Sequence, residues 1–159
     1  MLKMKKNNFR DIDLIAYDFD GVMTDNKVIV FSDGKEAVVC NRADGLGVEL
    51  IRSRGIPQII ISREANRVIA ARAKKIDIPF FYNIRDKKSC LIGYAREHKY
   101  DLKKTIFVGN DLNDLEVMSC VGIPMCPSDA DTRVKKCAKH IFSKRGGEGV
   151  VRELADLIK

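Results

Sequence analysis

Apolar residues along this chain come in short continuous blocks separated by longer stretches of mixed polarity. The blocks at 14–17 (Leu-Ile-Ala-Tyr), 58–61 (Gln-Ile-Ile-Ile) and 105–108 (Thr-Ile-Phe-Val) lack the alternation of a half-solvated strand. They read as strands buried on both faces, the pattern of a parallel sheet. Residues 45–54 predict a helix capped by Asp44 and ended near Gly55 and Pro57. Residues 64–75 predict an Ala-rich helix with Val68, Ile69 and Ala73 turned to the core, and Asp86 opens a helix over 86–98. A strand at 80–82, a helix from the 109–114 segment through Met118, apolar pieces at 121–125 and 140–142, and a final helix at 150–158 complete the order. Residues 28–31 and 37–40 flank Ser32-Asp33-Gly34-Lys35, which predicts a hairpin with an Asp-Gly turn.

Strands alternating with helices predict an α/β fold, a Rossmann-like three-layer sandwich built on a right-handed parallel sheet. One domain spans 1–159, with the hairpin at 26–41 as its insertion and a frayed basic tail at 1–9. With 45% hydrophobic and 32% charged residues, the 159-residue chain is long enough to bury a core. No apolar run approaches the roughly 18 residues of a membrane span, and no signal-type segment follows the basic start. A cytoplasmic protein is expected. Five cysteines, odd in number and without close pairs or histidines at ligand spacing, argue for reduced thiols over zinc or disulfides. The net charge of +7 is spread along the chain without an aromatic-rich recognition motif. It suits an anionic small-molecule substrate better than nucleic acid.

The candidate chemistry sits where strands end. Asp18 and Asp20, spaced i, i+2 after the first strand, turn to one face of an extended segment, and Gly21 lets the backbone leave sharply. Strand ends are where open α/β sheets bind ligands. Asp18 can act as nucleophile or metal ligand, with Asp20 beside it as acid/base. Ser62 ends the strand at 58–61, and Gly109-Asn110-Asp111-Leu112-Asn113-Asp114 follows the strand at 105–108. If those strands are neighbours, the three clusters meet on one edge.

Asp18-Phe19-Asp20-Gly21-Val22-Met23-Thr24 resembles the DxDGVxT signature of haloacid-dehalogenase-type phosphatases. Ser62, Lys87 and the 109–114 segment match the family's other three motifs in order and spacing, so the resemblance covers nearly the whole chain. Within that superfamily the chain is similar to the small capless group acting on 3-deoxy-D-manno-octulosonate 8-phosphate or nine-carbon keto-sugar-acid 9-phosphates. The same group includes domains fused to acylneuraminate cytidylyltransferases. The hairpin, Asn41-Arg42-Ala43-Asp44-Gly45 and the 145–153 tail carry that finer likeness, and the hairpin is the only insertion between Asp20 and Ser62, leaving no room for a cap domain.

The resemblance implies a Mg²⁺-dependent phosphatase working through an aspartyl-phosphate. Asp18 is its nucleophile, Asp20 its acid/base and Lys87 its charge neutraliser, with Ser62 holding phosphate. Asp18, the Asp20 carbonyl, Asn110, Asp111 and Asp114 are the implied metal set. It further implies a homotetramer with a central barrel of hairpins and a neighbour's tail over the site. Alternatives stand beside these roles: Ser62 as a helix cap, Lys87 as a surface lysine, and Asp114 as a residue that holds Lys87 or starts a helix.

Asn110 departs from the pattern, since it stands where the family carries a metal-binding aspartate. Its amide oxygen can ligate Mg²⁺ but brings no charge, so weaker metal binding is expected. The departure leaves open a second reading, a non-catalytic tetramerisation or regulatory module associated with a cytidylyltransferase. The candidate phosphate- and substrate-binding residues are Ser62, Arg63, Glu64, Arg72 and Lys75. Glu64 and Lys75 match residues of the nine-carbon enzymes. Arg72, eight positions after Glu64 and on the same helix face, suits a sugar-acid carboxylate or else a solvated ion pair. These matches tilt the expectation toward a nonulosonate 9-phosphate over an octulosonate 8-phosphate.

Overall fold

The computed structural model of the protein describes residues 11–158. The basic segment 1–9, expected to be a frayed tail, lies outside the described residues. Six parallel strands form one sheet: β1 (Leu14–Tyr17), β4 (Gln58–Ile61), β5 (Phe80–Phe81), β6 (Thr105–Val108), β7 (Ile123–Cys126) and β8 (His140–Ile141). They run side by side in the order β5-β4-β1-β6-β7-β8. β1 lies at the centre, with Ala16 paired to Ile59 on one side and to Phe107 on the other. The chain winds outward in both directions from β1, so the crevice at its carboxyl end is the topological switch point of the sheet.

Alternation along β1 divides the core in two. Ile15 and Tyr17 pack with α1 (Arg42–Arg52), α2 (Val68–Ile76) and α6 (Val150–Leu157), through Val48, Ile51, Ile69, Ala73, Val151 and Leu154. Leu14 and Ala16 face the opposite layer of α3 (Lys87–His98), α4 (Leu115–Ser119) and α5 (Thr132–Cys137), where Leu91, Val117, Met118 and Val134 meet them. The expected α/β three-layer sandwich is therefore the observed fold. All five cysteines are free thiols. No helix among the described residues is long and apolar enough to cross a membrane.

Several local expectations are corrected. Asp44 does not cap α1; Asn41 does, accepting from Ala43 N at 2.8 Å. Asp44 lies buried in the first turn and caps α6 instead, its Oδ1 accepting from Val151 N at 2.9 Å and Arg152 N at 3.3 Å. The helix expected from residue 64 starts at Val68, because Asn66 Oδ1 accepts from Val68 N at 2.9 Å and fixes the entry one turn later. The hairpin is present, but regular pairing is confined to β2 (Ile29–Val30) and β3 (Glu36–Ala37), joined through Gly34 at φ +81°. Its strands are short because they stand outside the main sheet, and Val28, Ile29, Val30, Phe31 and Val39 are all at least half exposed.

Candidate active site

The β1 strand ends with Asp18 N donating to Val108 O at 2.9 Å, which ties the next turn to the end of β6. Gly21, at φ +83°, then reverses the chain. Thr24 holds that turn closed, its Oγ1 accepting from Gly21 N and Asn26 N at 3.2 Å each and donating to Asp20 Oδ1 at 3.5 Å. Asp18 is thereby buried and Asp20 half-buried at the mouth.

Lys87 enters from the first turn of α3, whose N-cap is Asp86. The surface-lysine reading fails: Lys87 is 3% exposed, and its Nζ lies 2.8 Å from Asp18 Oδ1 and 2.7 Å from Asp114 Oδ1. Burial alone would lower its pKa, but the two carboxylates outweigh burial and raise it, so Lys87 is held charged. Burial also pushes the Asp18 carboxyl up, with the Asp114 charge adding to the rise and Lys87 opposing it. Asp20 is raised by burial and by the Glu64 carboxylate, a direction that favours keeping a proton to give.

The segment after β6 divides its work. Asp114 is fully buried, with Oδ2 accepting from Asn110 N at 2.8 Å and Asp111 N at 3.3 Å while Oδ1 takes Lys87. The geometry fills both non-metal roles open to it, since Oδ1 holds Lys87 and Oδ2 completes the capping box with Asp111 at the start of the 3-10 turn. Asp111 is exposed and caps the 3-10 turn at Leu112–Asp114, its Oδ1 accepting from Leu112 N at 2.7 Å, which turns that oxygen to local capping rather than to a metal. Asn110, 8% exposed, faces Asp18 Oδ2 and the Asp20 carbonyl oxygen.

The Asn110 amide is satisfied with the nitrogen inward, donating to Asp18 Oδ2 and to the Asp20 carbonyl oxygen at 3.0 Å each. Rotated about, the amide oxygen would join those two oxygens as the kind of donor set a hard divalent cation takes. Among the described residues no group of three or more His, Cys, Asp or Glu side chains is arranged to hold a metal. A cation here accordingly depends on the amide and carbonyl oxygens beside Asp18.

Ser62, at the end of β4, is 1% exposed, and its Oγ accepts from Glu64 N at 3.2 Å. It does not cap α2, so the capping alternative is replaced by a short turn that presents the 62–64 backbone at the sheet edge. A cleft of about 250 Å³ opens from Asp20, lined by Glu64 and Asn66 on one wall and by Lys27, Glu36 and Val38 of the hairpin region on the other. Asn66 Nδ2 donates to Glu36 Oε2 and joins the two walls. Glu36, Asn66 and Lys27 carry no motif in the sequence; only the hairpin folding back over the 63–67 loop brings them together.

Arg63 is exposed beside Ser62. Arg72 and Lys75 do not line the cleft. Because α2 begins after Glu64, the shared face expected for Glu64 and Arg72 does not form, and Arg72 Nη2 instead donates to Asn41 O at 2.9 Å. Lys75 is exposed in the last turn of α2. Of the two residues matched to the nine-carbon enzymes, Glu64 lines the cleft and Lys75 does not.

Residues 56–154 match the model of the haloacid dehalogenase-like hydrolases. The chain is 30% identical to a 3-deoxy-D-manno-octulosonate 8-phosphate phosphatase of Yersinia pestis, over 93% of this chain and 80% of that protein. It is 25% identical to N-acylneuraminate cytidylyltransferase A of Danio rerio over 91% of its own length, but spans only 34% of that relative. Among solved structures, a family hydrolase from Streptomyces avermitilis superimposes with TM-score 0.93 at 38% identity, over 96% of this chain and 93% of that one. The Moraxella catarrhalis 3-deoxy-D-manno-octulosonate 8-phosphate phosphatase, solved with magnesium, phosphate and its sugar acid, gives TM-score 0.91 at 29% identity, over 94% and 87%.

Proposed function

The chain belongs to the haloacid dehalogenase-like hydrolases and is a phosphoric monoester hydrolase; we propose that its substrate is the phosphate ester of a keto-deoxy sugar acid, an octulosonate 8-phosphate or nonulosonate 9-phosphate. The observation that carries this reading is the buried Asp18–Lys87–Asp114 bridge, set beside Asp20 at the switch point of the sheet.

A phosphate monoester resists attack because its own charge repels the nucleophile, so placement and charge neutralisation dominate catalysis. Asp18 attacks phosphorus through a carboxylate oxygen while the bond to the leaving sugar oxygen breaks, giving an aspartyl-phosphate. Asp20 donates its proton to that oxygen. It then accepts a proton from the water that hydrolyses the acyl phosphate, which restores both carboxyl groups. Lys87 stays charged, orients Asp18 and offsets phosphoryl charge, with Ser62 and the neighbouring backbone N–H groups as the phosphate grip. Asp18 Oδ2, the Asp20 carbonyl and the Asn110 amide oxygen are the residues that would hold Mg²⁺, which when bound supplies further positive charge against the phosphoryl oxygens. The hydroxyl-rich arm of the sugar fits the cleft walls, where Glu36 and Glu64 accept hydrogen bonds and Lys27 is the nearby cation.

The half-exposed apolar hairpin supports self-association, with a homotetramer as the proposed state. Asn110 and the likeness to part of a cytidylyltransferase favour a second reading, a non-catalytic assembly module. Phosphate release from both sugar-acid phosphates, with and without Mg²⁺, separates the two. Turnover of either supports the phosphatase, whereas tetramers that release no phosphate from either would sink it.

A further inference from the structure

The Asn110 amide lies at the centre of the site, and its two ends suit opposite partners. With its oxygen inward, the amide would join Asp18 Oδ2 and the Asp20 carbonyl oxygen in a cluster of acceptors that only a cation could satisfy. Turned the other way, the amide nitrogen lies 3.0 Å from each of those two oxygens and donates one N–H to each. The bookkeeping of donors is complete in that state. A primary amide has two N–H groups and here meets two acceptors. Lys87 and Phe19 N already take Asp18 Oδ1, which leaves Oδ2 for Asn110.

We propose that Asn110 is a reversible plug of the cation site, its NH₂ group bonding Asp18 and the Asp20 carbonyl when no cation is bound and its oxygen turning inward to ligate when one enters. An aspartate at this position could perform only the second task. Its carboxylate would face Asp18 Oδ2 and the Asp20 carbonyl as a third acceptor, close to the buried charge of Asp114, and would leave the metal-free site self-repelling. The amide gives up a charge toward the cation and in exchange keeps the nucleophile hydrogen-bonded in its absence.

The amide packs closely against Gly21. A Cβ on Gly21 would lie 2.6 Å from Asn110 Cγ and collide with the amide, so the glycine provides the space as well as the reversal of the chain. The backbone of Asn110 stays fixed throughout, with its N–H bonded to Asp114 Oδ2 at 2.8 Å and its carbonyl accepting from Asp131 N at 2.9 Å. Rotation about the side chain alone exchanges the two states.

The proposal rests on the cation site of the reading above and is tested without measuring turnover. The side-chain NH₂ resonances of Asn110 in the ¹⁵N-labelled full chain are assigned by their loss in Asn110→Asp and followed during Mg²⁺ titration. In metal-free protein they are expected to exchange slowly with solvent. At saturating Mg²⁺ they should shift and exchange faster, as both hydrogen bonds are lost. In parallel, Asn110→Asp should bind Mg²⁺ about tenfold tighter by calorimetry, as an added ligand charge implies. Its metal-free form should melt below the wild type, and that deficit should close with Mg²⁺. Amide signals that ignore saturating Mg²⁺, no Mg²⁺ binding at millimolar concentration, or an aspartate variant equally stable without metal would each overturn the plug. Intact amide behaviour in a protein that turns over no sugar-acid phosphate would instead count against the catalytic reading alone.

Discussion

Lys87 Nζ lies 2.8 Å from Asp18 Oδ1 with both side chains almost wholly withdrawn from solvent. A second carboxylate, Asp114, completes the bridge at 2.7 Å, so one ammonium separates two buried anions. Breaking such a bridge from one side leaves uncompensated charge, at a cost of about 3–5 kcal/mol. Lys87→Met is expected to lower the melting temperature markedly and to cut kcat by about 10²-fold or more, through loss of charge stabilisation at phosphorus. Thermal denaturation and phosphate-release kinetics check this. A variant that melts with the wild type would show that the bridge contributes nothing.

In the proposed mechanism Asp20 protonates the leaving oxygen, so its removal should be felt in proportion to how badly that oxygen needs a proton. Asp20→Asn is expected to lose about 10²–10⁴ in kcat toward a sugar-acid phosphate. Formation of the phospho-enzyme from an activated aryl phosphate, whose leaving group departs unprotonated, should fall far less. Burst amplitudes with the two substrates distinguish the cases, and equal losses would remove Asp20 from the acid role.

Asp44 ties α1 to α6 at a price in charge. Its Oδ1 caps α6, but its buried Oδ2 meets no hydrogen-bond partner. Burial pushes its carboxyl up from 3.8 to about 6, partly offset by the Arg152 and Val151 N–H groups. A carboxyl raised on folding favours the native state when protonated. Its contribution is therefore full below the ordinary value and is lost as pH rises to about 6, roughly 3 kcal/mol in all. Asp44→Asn keeps an accepting oxygen and removes the charge. It should melt higher than wild type at pH 7.5 and show a flatter dependence between pH 4 and 6. An unchanged slope across that window would show that another group sets it.

Glu64 and Arg72 should separate cleanly in their effects. Glu64 lines the cleft, so Glu64→Ala is expected to raise KM severalfold with little change in melting temperature. Arg72 bonds the Asn41 carbonyl at the start of α1, so Arg72→Met should cost about 1 kcal/mol of stability, the worth of one such hydrogen bond. Steady-state kinetics beside chemical denaturation decide it. A KM effect confined to Arg72 would restore its role toward the substrate carboxylate.

The chemistry at strand ends was legible because it depends on neighbours in sequence. Asp18, Asp20 and Gly21 follow directly from a continuous apolar block, and the blocks themselves announce a buried parallel sheet. What escaped was long-range choice among equivalent local groups. Asn41 and Asp44 are both competent caps near the start of α1, and the approach of α6, more than a hundred positions later, assigns Asp44 to the distant helix. The same holds for α2. An Ala-rich stretch reads as helix from residue 64, but Asn66 caps Val68 N and reaches across to Glu36 in the hairpin, leaving Glu64 free for the cleft. Periodicity along one segment carries no information about such cross-chain partners.

The tail that precedes α6 sets a condition on how the site comes into being. Gly147 N donates to Val22 O at 3.0 Å, and Asn41 Nδ2 reaches Gly147 O across 106 positions at 3.3 Å. A Cβ on Gly147 would fall 2.7 Å from the Thr24 carbonyl carbon, so the two segments meet backbone to backbone. Residues 22–24 thus acquire their final shape from residues more than a hundred positions later. During synthesis Asp18 and Asp20 emerge more than a hundred residues ahead of Gly147, which clamps their loop. Until residues 146–147 have been made, the loop that carries Asp18 and Asp20 lacks this clamp, so its final shape arrives later than strands β1, β4 and β6 beside it.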